Sequence, residues 1–70
     1  MYIKVTWQST GKSILVGQFG SKADCRNQLT SRHYEKDKKD PDVYEKLIGE
    51  DIVTAQIFEF GPILPPSSIP

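Results

Sequence analysis

The chain has one cysteine, Cys25, and one histidine, His33, among its 70 residues. A single thiol forms no internal disulfide, so packing alone must hold the fold, and unpaired cysteine points to a reducing compartment, the cytoplasm. One Cys and one His cannot furnish a dedicated zinc site, and no metal or cofactor is expected. No apolar run nears the ~18–20 residues that span a bilayer. Met1-Tyr2-Ile3-Lys4-Val5 shows neither the basic region nor the apolar stretch of a secretory leader. Net charge is also missing, since nine Lys/Arg balance nine Asp/Glu. Length is the last shortage: one small domain fits, two do not. A chain of this size buries only about 60% of its unfolded surface. It can hardly build both a core and a water-excluding catalytic pocket, so an enzyme is not expected.

The neutrality hides a division. Residues 1–40 carry eight basic and four acidic side chains, whereas residues 41–70 carry one basic and five acidic. Such a split can present patches of opposite sign to a charged partner, or close on itself across neighbouring strands.

Ile3, Val5 and Trp7 alternate with Lys4, Thr6 and Gln8, which predicts a strand. Ser9-Thr10-Gly11-Lys12 supplies a turn, and Ser13–Phe19, with its Ile14-Leu15-Val16 run, completes an antiparallel hairpin. Gly17 within that run marks a bulge or a close backbone approach. Ser21 and Asp24 form a shortened capping pattern, and Lys22 to about Lys38 predicts a helix with Cys25, Leu29 and His33 on one face. Lys39-Asp40-Pro41 breaks or kinks it. Pro41 suits the first turn of a continuing helix capped by Asp40, with Val43, Tyr44, Leu47 and Ile48 as its apolar face and Gly49 as its stop. A third strand spans about Asp51 to Phe60. Its apolar residues change face after Ile57, which implies a bulge there or cover on both faces.

The expected architecture is α+β: a small antiparallel or mixed three-stranded sheet, β-β-α-β, with one kinked or broken helical segment on one face. The domain is residues 1–61, and 62–70 form a proline-rich extended tail. Trp7, Ile14, Val16, Leu29, Leu47, Ile48, Val53 and Ile57 are the candidate core.

Motifs that carry chemistry are few. Thr10-Gly11-Lys12-Ser13 ends like a phosphate-binding loop but lacks the earlier glycine and precedes a strand, so it reads as a hairpin turn. Cys25 and His33 sit about 12 Å apart along one helix, too far for a nucleophile–base pair, and Cys25 reads as a small apolar contact. Asp37, Asp40, Asp42 and Glu45 lack the spacing of a calcium loop.

Two binding readings compete. The third strand carries charges only near its ends, at Asp51 and Glu59, so as an edge it would be poorly protected. A protein partner or a second copy is then expected near Phe58, Glu59 and Phe60, together with the tail residues Ile63 and Leu64 of the Pro62–Pro66 P-x-x-P spacing. The alternative is a nucleic-acid contact through Arg26, Arg32, Lys36, Lys38 and Lys39, with Tyr34 available for stacking. Acidic residues interleave with that set, which favours the protein partner. Monomer and homodimer both remain compatible.

The strand–strand–helix–strand order of residues 1–61 resembles that of several small phage-encoded proteins that block a host enzyme, a toxin or a defence complex. No motif accompanies the layout, so the resemblance assigns no residue. It implies steric or competitive occlusion by a charged face or an edge strand, acting in the host cytoplasm. The chain departs from that group in its zero net charge and its proline-rich tail.

Overall fold

Gly11 turns the first hairpin. Its φ of 72° is one that side-chain-bearing residues avoid, and it lets the Gly11 amide donate to the Trp7 carbonyl at 2.8 Å. Strands β1 (Tyr2–Trp7) and β2 (Ser13–Val16) flank it in antiparallel register, Ile3 opposite Val16 and Thr6 opposite Ser13. The computed structural model describes residues 1–59 and 68–70.

Gly17 follows β2 and proves to be a close approach: a Cβ there would overlap the Tyr2 ring. Backbone pairing continues past it, with the Phe19 amide donating to Met1 O and the Met1 amino group donating to Phe19 O.

Helix α1 runs Lys22–Ser31, shorter than the expected reach to Lys38, and no second helix continues it. Its start matches the capping pattern, with the Ser21 hydroxyl accepting from the Asp24 amide at 3.2 Å. Its end explains the shortfall. The Tyr34 amide bonds back to Leu29 O and the His33 amide to Thr30 O, while His33 takes φ 67°. This is a Schellman stop, built on histidine where glycine is usual. Leu29 and Tyr34, both buried, supply the apolar contact that accompanies such stops. Thr30 and Ser31 hydroxyls also bond to carbonyls one turn back, an alternative to continued helix. Histidine tolerates the left-handed region at a cost that glycine escapes. His33→Gly is therefore expected to stabilise the fold by about 0.5–1 kcal/mol and His33→Val to destabilise it, as read from urea midpoints.

The segment expected to be a second helix forms strands instead. After the two-residue β3 (Glu35–Lys36), Asp37 and Asp40 fold the turn, their carboxylates accepting from the Lys39 and Asp42 amides. Asp40 thus caps an Asx turn rather than a helix. Strand β4 (Val43–Ile48) then carries the apolar residues that read as a helical face. Gly49, expected as a helix stop, is the first residue of the two-residue Gly49-Glu50 turn, with φ 62°. Strand β5 (Asp51–Phe58) returns from it, and Phe60, the expected end, lies outside the described residues.

One five-stranded antiparallel sheet results, in the order β2-β1-β5-β4-β3. The α+β class stands, but the sheet has two more strands than expected, and β5 is its centre rather than an edge. Of the two readings of the face change after Ile57, the bulge finds no support in the pairing with β1, which runs through Ile57 and Phe58 without a slip.

Alternation sorts the sheet into two faces. On the helix side, Ile3, Val5, Val53 and Ala55 are fully buried with Cys25 and Leu29. Tyr44 and Ile57 join this core, as does Ile69 from the segment read as tail. The buried Tyr34 phenol donates to Pro70 O at 3.1 Å and so holds that segment in place. Burial raises the pKa of Tyr34 and keeps its donor proton in place. Of the core candidates, Val16, Leu29, Val53 and Ile57 are buried, whereas Trp7, Ile14 and Ile48 are only half-buried against the core. Leu47 is a correction: at 69% exposure it lies on the opposite face, one strand position off the helix-side set.

Candidate functional site

The second face of the sheet has no buried residue on it, and among the described residues no helix packs there. Register arranges it in four rows. Tyr2 and Phe58 stand opposite one another in the first. Leu15, Lys4, Gln56 and Val43 make the second. The third runs Ser13, Thr6, Thr54, Glu45 and Glu35. Ile52 and Leu47 face each other in the fourth. Each row lies about 7 Å from the next, so the two outer apolar rows stand roughly 20 Å apart across a middle of mixed polarity.

The fourth row is the exposed one. Leu47 and Ile52 are 69% and 42% exposed, the large hydrophobics most open to solvent among the described residues. A hollow of about 470 Å³ adjoins them, lined by His33, Glu35, Glu45, Lys46, Leu47 and Ile52. Several elements build it: the Schellman stop sets His33 at the rim, β3 and β4 set the two glutamates opposite each other, and the Gly49 turn brings Ile52 beside Leu47. A second hollow, lined by Trp7, Thr10, Lys12, Ser13 and Ile14, sits at the β1–β2 turn. Its Gly11-Lys12 is turn chemistry, as expected.

Of the residues expected to contact a protein, Phe58 lies half-buried at the first row and Glu59 is exposed just beyond the strand. Phe60, Ile63 and Leu64 lie outside the described residues. The expected route to them, an open third-strand edge, does not exist, since β5 is paired on both sides. Sequence reasoning missed Leu47 and Ile52 because a helical reading of 43–48 sends Leu47 inward. The signal was present: Val43, Tyr44 and Ile48 are β-formers, and a Gly-x pair separates them from β5.

The basic set does not form one face. Arg26 and Lys22 on α1 both pair with Asp42, at 3.4 and 3.0 Å. Arg32 donates to Gln28, Lys36 points to the helix side of β3, and Lys38 and Lys39 are in the aspartate-rich turn. Asp42 is the tether between α1 and the β3–β4 turn. Its pKa is held below the ordinary carboxylate range, first by the Lys22 hydrogen bond, then by the Lys22 and Arg26 charges. A lowered folded-state pKa means the contribution is present above the ordinary range and vanishes as pH falls through the lowered value. Asp51, held down by Ser9, has the same sign. Asp42→Asn is expected to lower the urea midpoint at pH 7, and the gap from wild type should close below about pH 4.

Cys25 is fully buried, with burial raising its thiol pKa, and it packs at the helix–sheet contact as expected. Among the described residues, no three His, Cys, Asp or Glu side chains gather to hold a metal ion, and no helix is long and apolar enough to cross a membrane. No family model, curated protein or solved structure matches the chain.

Proposed function

We propose that the protein is a non-catalytic protein-binding module that acts by occluding a partner through the second face of its sheet. The observation that carries this reading is the exposed Leu47–Ile52 row on a face with no buried residue. Contiguous apolar surface rimmed by polar groups is the usual mark of a protein contact. Lys4 in the second row and Glu45 in the third add charges of both signs, which select among partners more than they strengthen binding. Phe58 stands on the same face at its far end, opposite Tyr2 in the first row. Steric occlusion is the mode implied by the layout resemblance, whose strand–strand–helix–strand order the structure extends to β-β-α-β-β-β, so the proposal rests on the exposed face.

Site-specific photocrosslinking tests it. A photoreactive residue at the exposed Gln56, on the same face as Leu47 and Ile52, is expected to trap a discrete protein partner, whereas one at the exposed Asn27 of α1 should trap none. Leu47→Asp should abolish capture while the melting transition is retained, because the side chain contributes little to the core. Equal trapping from both positions, or capture unchanged in Leu47→Asp, overturns the reading.

A further inference from the structure

Resting on that reading, we infer that the Leu47–Ile52 corner receives a basic side chain, arginine or lysine, presented by the protein partner. The inference joins two independent features of one corner: unneutralised negative charge and exposed aliphatic surface.

Glu35 and Glu45 stand directly opposite each other on adjacent strands and both are exposed. Like charges in this arrangement repel and destabilise a sheet. The neighbouring lysines do not relieve them. Lys36 and Lys46 alternate to the other face; Lys46 still borders the hollow, but its ammonium sits over the Tyr34 ring, 5.3 Å from the centre, and pairs with neither glutamate. Lys4 shares the face but lies in β1, with β5 between it and Glu45. Among the described residues, the ion pairs formed are those of Asp42 with Lys22 and Arg26. Residues 60–67 contain no Lys, Arg or His that could serve.

Leu47 is two positions along β4 from Glu45, hence on the same face, with Ile52 opposite it. A ligand that matched only the apolar pair would leave the two carboxylates facing desolvation, and a bare cation would leave Leu47 and Ile52 in water. An aliphatic stem ending in a cation satisfies both. Arginine and lysine stems lie along apolar surface while the head reaches a polar group. A guanidinium fork can engage two carboxylates at once, so arginine fits better than lysine. The hollow of about 470 Å³ has room for the head, with His33 at its rim.

The probe is N-acetyl-argininamide, with N-acetyl-citrullinamide as its uncharged isostere, titrated into the isotope-labelled protein and followed by amide chemical shifts. Shifts should concentrate at His33, Glu35, Glu45, Leu47 and Ile52 with the arginine compound, and should be absent with citrulline. The Glu35→Gln/Glu45→Gln double variant should bind it roughly fivefold more weakly or worse, and added salt should weaken wild type toward the variant. Equal shifts from the two compounds, shifts spread evenly over the chain, or a double variant that binds as wild type overturns the inference. So does a doubled mass in solution that reverts to one chain in Leu47→Asp, since a second copy then fills the corner. Partner capture separates this inference from the reading beneath it. If Leu47→Asp loses the crosslinked partner but Glu35→Gln/Glu45→Gln keeps it in full, docking stands and the basic side chain falls.

Discussion

Leu29→Ala is expected to cost about 2–5 kcal/mol, a large share of what this chain has to lose. Marginal stability scales at roughly 0.05–0.15 kcal/mol per residue, which gives a domain of this size about 4–10 kcal/mol. Leu29 is fully buried and is one of two buried residues that α1 contributes, the other being the small Cys25. Its carbonyl also accepts the Tyr34 amide that closes the helix, so the side chain and the stop share one position. Truncation leaves a cavity between helix and sheet that the β-ladder is too stiff to refill. Urea unfolding should show the midpoint drop with the slope retained. A change within about 0.5 kcal/mol would mean that α1 is not held to the sheet through this residue.

Gly17→Ala should destabilise by about 1–3 kcal/mol, the range for forced overpacking. The added methyl meets the Tyr2 ring itself rather than the flexible end of a side chain. The Tyr2 backbone in turn is held opposite Phe58 in the ladder, so relief of the overlap must come from a change in the ring's rotamer. An aromatic side chain laid over a glycine beside an edge strand is a known way of shielding a sheet margin. The pair should behave as a unit: in a Tyr2→Ala background most of the alanine penalty at position 17 is expected to disappear. A double-mutant cycle reads this directly, and additive costs would show that the two positions act separately.

The parts of the fold legible from sequence are those where one local signal has one outcome. The β1–β2 hairpin came from strict alternation around Gly11, and the helix start came from Ser21 with Asp24. The parts that misled are those where one signal has two. Gly49 serves a helix stop or a two-residue hairpin turn equally well, and Asp40 caps a helix or an Asx turn. Val43, Tyr44, Leu47 and Ile48 satisfy a helical stripe as well as they satisfy a strand, and only the pairing with β5 selects the strand. The α1 terminus was hidden because His33 occupies the left-handed position that glycine normally announces. Each ambiguity bears on the candidate site. Placing Leu47 on the solvent side needs the strand, and setting Glu35 against Glu45 needs the helix to end before Tyr34.

The pairing of β1 with β5 also fixes how this chain must find its structure. Each of its two tight hairpins closes over a few residues and can form in microseconds. Their junction is different, since Ile3 meets Ile57 and Val5 meets Ala55 across nearly the whole chain. Bringing such distant segments together costs loop-closure entropy before any contact repays it, which slows folding relative to helical proteins of equal length. The central seam of the sheet is therefore its kinetic bottleneck. Val5→Ala should slow refolding more than it hastens unfolding, whereas a change confined to the β4–β5 turn at Gly49 should do so far less.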